Sequence, residues 1–302
     1  MHMEKRTFVK YIMSVPALAA FSLAAEGKPA VSHSVRRPRN LKLSLNAYSF
    51  NGPLSRGEMT LEALFEFCAA HHFDAVDPTA YYFPGYPEVP PDRYLYDLKR
   101  RAFDLGLEIS GTGVRNDFTD TNPEKRKADV QLVKNWIVAA QKMGIPVIRI
   151  FSGTQEHANY SWEEVARWMV KDIQECVVFG REHGVVVAVQ NHADFIKSAD
   201  HVQTLMQMVS SDWFGLILDT GSYTGEDPYG EIEKTVPFAV SWQVKELINK
   251  NGVEEPVDLD KLMGIIKTST YRGYLPIETL GPGDPFVKVP AFLEKVRRAL
   301  YS

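Results

Sequence analysis

Apolar and polar positions along the chain follow two alternating periods. Short runs rich in Val, Ile and Leu recur as LKLSLNAYSF (41–50), FDAVDPT (73–79), LEISGTGV (107–114) and PVIRIFSG (146–153), then VVVAVQNH (185–192), WFGLILDTGS (213–222), AVSWQVKE (239–246) and YLPIETLG (274–281). Runs of this kind suit strands buried on both faces of a parallel sheet. Between them lie segments with apolar residues at helical spacing: TLEALFEFCAAHH, RYLYDLKRRAFDLG, PEKRKADVQLVKNWIVAAQKMG, SWEEVARWMVKDIQECVVFGREHG, SADHVQTLMQMVSS, DPYGEIEKTV, LDKLMGIIKTS and PFVKVPAFLEKVRRAL. Several close on a glycine, as in DLG, KMG and EHG, which is a normal helix stop.

Strand–helix pairs repeated eight times predict an α/β fold, a (β/α)8 TIM barrel in a single domain over residues 41–302. An open doubly wound sheet uses the same alternation. No GxGxxG follows the first strand, which removes the main dinucleotide-binding signal of such sheets.

Residues 1–25 do not belong to that pattern. Lys5, Arg6 and Lys10 precede the apolar run YIMSVPALAAFSLAA, which ends in small residues like a cleavage site. The run is short and broken by Pro16, which argues against a membrane span. KRTFVK looks like a degenerate twin-arginine signal, so residues 1–25 are expected to be an export signal of Tat or Sec type. Residues 26–40 are expected to be a polar linker and the processed protein to be periplasmic, with no stable membrane insertion.

The net charge of −4 and the lack of a basic run in the body of the chain exclude a nucleic-acid partner. Cys68 and Cys176 lie far apart in helical segments, with no CxxC spacing, and are expected to be buried thiols.

In a barrel the reactive side chains sit at the C-terminal strand ends. Polar or charged residues occupy those ends throughout: Asn46, Asp77, Arg115, Arg149, Gln190 with His192, Asp219, Gln243 with Lys245, and Glu278. Gln190 and His192 are two apart on one strand and so share a face. Each residue alone has a structural explanation, such as a helix cap at Asp219 or an ion pair at Glu278. Four oxygen-bearing side chains on strands five to eight converging on one mouth point to a site instead.

The segments QNH (190–192), ILDTGS (217–222), WQVKE (242–246) and IETLG (277–281) resemble the xylose-isomerase-like TIM barrels, the sugar phosphate isomerase/epimerase superfamily, over residues 41 to about 300. YYFPGYPEVPPD (81–92) and RIFSGTQEH (149–157) are similar to a branch found among exported Bacteroidetes proteins. The resemblance implies one divalent metal held by a Glu, an Asp, a His and a Glu on strands five to eight. Those places fall on Gln190, Asp219, Gln243 and Glu278, so two of the four depart from the pattern. An all-oxygen set implies Mn²⁺ or Mg²⁺ first, with Ca²⁺ also open, and Zn²⁺ or Co²⁺ if His192 joins as a ligand.

The resemblance further implies a metal-dependent sugar or keto-sugar isomerase/epimerase working through an enediolate, with a small-molecule carbohydrate as substrate. Two alternatives stand beside it: a lyase or hydratase acting on 3-keto-glycosides, and a carbohydrate-binding barrel without catalysis. Glu278, Lys245 and His192 are the candidate proton carriers, with His157 as a further base or substrate contact; a neighbouring dication would lower the pKa of Lys245. Tyr82, within YYFPGYP, and Trp242 offer aromatic surfaces to a sugar ring. Arg115 and Arg149 could hold a phosphate or carboxylate. The stretch GPGDP after strand eight is explained by Asp284 as helix cap and Pro285 as first helical residue. The oligomeric state is left open.

Overall fold

The computed structural model describes residues 41–154 and 158–302. The export signal and linker expected over residues 1–40, and His157, lie outside the described residues.

Strands β1 (Leu41–Asn46), β2 (Ala75–Asp77), β3 (Glu108–Ile109), β4 (Thr112–Gly113), β5 (Val147–Ile150), β6 (Val186–Gln190), β7 (Phe214–Asp219) and β8 (Ala239–Lys245) are followed by a hairpin, β9 (Leu247–Lys250) and β10 (Val253–Pro256), and then by β11 (Gly273–Glu278). The sheet runs β3-β2-β1-β11-β8-β7-β6-β5-β4 and every pairing in it is parallel. Its two edges are halves of one passage separated only by Ser110 and Gly111. Ser110 N donates to Val76 O of β2 and Val114 N donates to Arg149 O of β5, so this passage joins both neighbours and closes the barrel. The fold is a single-domain (β/α)8 TIM barrel.

Helices α2 (Leu61–Ala70), α3 (Asp92–Asp104), α4 (Pro123–Met143), α5 (Trp162–His183), α6 (Ala199–Val209), α7 (Pro228–Thr235), α8 (Leu259–Thr268) and α9 (Pro285–Tyr301) follow the strands, with a short α1 (Asn51–Ser55) after β1. Their ends obey local chemistry. Ser161 and Glu164 form a capping box at the start of α5, worth about 1 kcal/mol. Gly144 and Gly184 end α4 and α5 at φ 75° and 69°, a region glycine enters without a side-chain clash. The main core lies between strands and helices and includes the free, buried thiols of Cys68 and Cys176. Among the described residues no helix is long and apolar enough to cross a membrane.

Two features position the mouth. Inside the barrel, Val147, Ala188 and Ile217 pack with Val186 and Val240 as a floor beneath the polar strand ends. Along β8 the pairing skips a residue: Leu216 faces Ala239 but Ile217 faces Ser241. This bulge lets Val240 pack into the floor over Gly215, where any Cβ would lie 2.4 Å from Val240 Cγ1. Beyond the bulge Ser241, Gln243 and Lys245 share the inner face, with Asp219 level with Gln243 and Glu278 level with Lys245.

The β9–β10 hairpin is an element the sequence pattern left unassigned. Its turn is Asn251-Gly252, both at positive φ (53° and 83°), the signature of a tight two-residue hairpin.

Candidate active site

A cavity of about 470 Å³ opens at the C-terminal strand ends. One wall comes from β6, β8 and β11, with Asp219 of β7 fully buried behind it. Lys245 Nζ stands 2.7 Å from Asp219 Oδ2 and 3.6 Å from Glu278 Oε1. Gln190 Nε2 donates to Asp219 Oδ2 at 2.7 Å and to Gln243 Oε1 at 2.6 Å, and Gly221 N donates to Asp219 Oδ1 at 3.0 Å. A carboxylate only accepts, so the end of Gln190 facing Asp219 must be its NH2 group. The second proton of that group then requires the oxygen of Gln243. Asp219 thus fixes the orientation of both glutamines across three strands, and both of its oxygens are bonded. Asn191, on the opposite face of β6, holds the backbone of Asp219 in a two-point clamp, donating to its carbonyl at 2.9 Å and accepting from its N–H at 2.8 Å.

The charges in this wall shift one another. Burial alone would lower the Lys245 pKa, but the charges and hydrogen bonds of Asp219 and Glu278 outweigh it and raise it above the ordinary lysine value. Burial raises the pKa of Glu278 above the usual carboxylate range against the opposing charge of Lys245.

The other wall comes from β4, β5 and the loops after them. Arg149 is buried, lies over the Phe151 ring at 4.0 Å and donates from Nη1 to Val114 O at 3.3 Å. Gly113 makes room for it, since a Cβ there would stand 2.5 Å from Arg149 Nε. Arg115 lies over the Tyr81 ring at 4.3 Å. Among the described residues neither guanidinium makes an ion pair with a carboxylate. Asn116 clamps Phe151 as Asn191 clamps Asp219, with 2.8 Å and 2.9 Å bonds to its backbone. At the rim, His192 Nδ1 is 2.8 Å from Asp194 Oδ2, and the imidazole meets the Phe151 ring edge-on at 4.9 Å. Between the pair, Ala193 adopts φ 65°, a left-handed conformation costing about 1 kcal/mol in an L-residue.

Several sequence-selected residues lie elsewhere. Trp242 is fully buried behind the sheet, 5.7 Å from the Tyr271 ring, because it alternates with inward-facing Gln243; it offers no surface to a sugar. Tyr82 turns its hydroxyl to Asn51 Oδ1 at 2.8 Å, and Tyr81 lines the cavity instead. Asn46 accepts from Tyr48 N at 2.8 Å and caps the turn after β1. Asp77 is buried under Gly111, not on the cavity wall, and burial pushes its carboxyl up to about 6 against the charge of Arg149. Tyr48, Tyr81, Asn116, Phe151 and Asp194 also line the cavity, Tyr81 from within the aromatic stretch YYFPGYP. All five sit just past strand ends, which is the signal the sequence offers for them.

The residues present do not fit an oxygen-bound dication. Gln190 turns nitrogen, not oxygen, toward Asp219; the Gln243 oxygen is taken by that nitrogen; and the Lys245 ammonium stands between the two carboxylates an ion would bridge. In this arrangement the Gln190 amide bonds to Asp219 and to Gln243. Among the described residues no group of three or more His, Cys, Asp and Glu is arranged to hold a metal; the strand-end set has two carboxylates, Asp219 and Glu278.

A closed (β/α)8 barrel with its polar residues gathered at the strand ends belongs to the class whose sites lie at that face. The profile of the Xylose isomerase-like TIM barrel family matches residues 65–296, and the chain belongs to that family. Among solved structures it is similar to D-psicose 3-epimerase with D-tagatose from Clostridium cellulolyticum H10, at 15% identity and TM-score 0.70 over 86% of this chain and 99% of that one. It is also similar to 3-keto-D-glucoside 4-epimerase, YcjR, from E. coli, at 11% identity and TM-score 0.70 over 85% and 99% of the two chains. A third is the IolI protein with a binding zinc atom, at 15% identity and TM-score 0.66 over 85% and 96%. Comparison with curated proteins finds no match.

Proposed function

We propose that this protein is a sugar or keto-sugar isomerase/epimerase that works through an enediolate. The observation that carries the reading is Glu278, a buried carboxylate with a raised pKa, facing an ammonium in a cavity of small-molecule size. Glu278 takes a proton from the carbon beside a carbonyl. The C–H electron pair becomes a C=C bond and the carbonyl pair moves onto oxygen. A carboxylate whose pKa is raised toward the working pH is the better base for this step. Return of the proton to the former carbonyl carbon, with the proton of the adjacent hydroxyl passing to the former carbonyl oxygen, completes an isomerisation. Delivery of a proton to the opposite face of the same carbon completes an epimerisation, and His192, held by Asp194 on the same cavity, is the candidate donor. Fold likeness to two sugar epimerases supports the reading.

Incubation in D₂O with a panel of free sugars and 3-keto-glycosides tests it. Deuterium is expected at a carbon next to the carbonyl, and Glu278→Gln should abolish the exchange. Absence of deuterium across the panel defeats the reading, and loss of a hydroxyl or aglycone replaces it with a lyase or hydratase.

A further inference from the structure

We propose that the ammonium of Lys245 takes the place of the divalent cation implied by family resemblance, so that this site stabilises its oxyanion without a metal. The catalytic part of the inference rests on the enediolate reading above; the structural part does not.

Geometry comes first. Lys245 Nζ is held at 2.7 Å and 3.6 Å by the two carboxylates that would bridge an ion, and its side chain is 12% exposed. Its path is built for it. A Cβ at Gly221 would lie 2.8 Å from Lys245 Cδ and 3.0 Å from Leu247 O, so a side chain there would block the lysine. The Thr220 hydroxyl donates to Gln243 O at 3.2 Å and accepts from Lys245 N at 3.0 Å, fixing the backbone from which the side chain departs. With Asp219 in contact at 2.7 Å and Glu278 only at ion-pair distance, the three-donor ammonium keeps N–H capacity for the cavity it lines.

Charge follows the same logic. Three carboxylates around a dication leave one negative charge. Two carboxylates around an ammonium leave one as well. Gln190 is what removes the third carboxylate, and its NH2 group shares Asp219 Oδ2 with Lys245. A dication entering beside the ammonium would meet like-charge repulsion at close range. In the reaction Lys245 keeps its proton and hydrogen-bonds the oxygen that gains charge, while Glu278 carries the proton from carbon.

The test begins with the full-length chain purified without chelator, dialysed with Mn²⁺ or Zn²⁺ and then against metal-free buffer. Elemental analysis and thermal melting are read for the parent, for Lys245→Met, and for Lys245→Met combined with Gln190→Glu and Gln243→His. The parent is expected to retain no stoichiometric metal and to melt unchanged by either ion. The triple variant, checked for folding by circular dichroism, is expected to bind one ion and melt higher with it. Parent protein that retains one metal per chain, lost in Asp219→Ala, overturns the inference. These readouts need no substrate, so they decide this inference even if no sugar exchanges deuterium. Where exchange occurs, it should persist in chelator and fall on the order of 100-fold or more in Lys245→Met. Exchange abolished by chelator and restored by metal also overturns it.

Discussion

The two walls of the cavity use the same device for opposite ends. On one side Asn191 clamps the backbone of Asp219; on the other Asn116 clamps Phe151. The first clamp holds a network in which Lys245, Gln190 and Gly221 saturate Asp219. The second holds an aromatic face beneath Arg149, which among the described residues makes no ion pair with a carboxylate. The difference teaches where a ligand's charges belong. A closed network resists displacement and is suited to hold reacting groups still, whereas a guanidinium on a cavity wall is suited to receive an anionic group.

The contrast is broken most strongly at Asp219. Asp219→Asn keeps the shape but leaves the Lys245 ammonium with one distant carboxylate and turns an acceptor for Gln190 into a competitor. Removing one partner of a buried pair typically costs about 3–5 kcal/mol. A urea-unfolding free energy within about 0.5 kcal/mol of the parent would mean that the network carries no stability.

Asp77, behind the arginine wall, should respond in the other direction. Its carboxyl titrates at about 6 in the folded chain against an ordinary 3.8. Between those values the folded state keeps a proton that the unfolded chain has released, so stability falls as pH rises through this window and then levels. Asp77→Asn removes that loss. At pH 7 the variant should be more stable by up to about 3 kcal/mol, and near pH 3 the gain should vanish. A gain of equal size at both pH values would detach it from this carboxyl.

How far the two walls were legible beforehand differs for physical reasons. Buried parallel strands write themselves as apolar runs, and helices ending at Gly144 and Gly184 announce their stops, so the barrel and its strand ends could be located. Orientation could not. Which end of Gln190 faces inward depends on Asp219 accepting only, a constraint from a strand 29 residues away. The phase of β8 depends on the bulge at Val240, which brings Lys245 in and sends Trp242 out. Tyr81 and Tyr82 sit on a 3₁₀ turn, where successive side chains diverge by a third of a turn, so adjacency says nothing about which one meets the cavity. The Asn251-Gly252 turn was a legible hairpin signal that the strand–helix alternation masked.

Arg149 sharpens the comparison at smaller cost. Arg149→Met keeps most of the contact with Phe151 and should lower stability by only about 1 kcal/mol, the scale of a cation–π contact. Binding of acidic or phosphorylated sugars should weaken by roughly tenfold or more, the scale of a charge-assisted hydrogen bond, while neutral sugars are unaffected. Calorimetric titration of both ligand types checks this, and equal losses for both would show that Arg149 shapes the cavity without selecting charge.

The smallest effect is expected at Trp242, and it separates packing from recognition. Its indole nitrogen is buried with no hydrogen-bond partner among the described residues, while its ring packs edge-on against Tyr271. Trp242→Phe loses volume, which costs stability through lost contacts and a small cavity. It also removes an unsatisfied donor, which returns a desolvation penalty of about 1–3 kcal/mol. The two nearly cancel, so the change in stability should stay within about 1 kcal/mol. Because the ring lies behind the sheet, sugar affinity should not move. A weaker sugar affinity with unchanged melting would instead place Trp242 at the ligand, and would require β8 to run in the opposite phase beyond Val240, turning Lys245 away from Asp219 and Glu278.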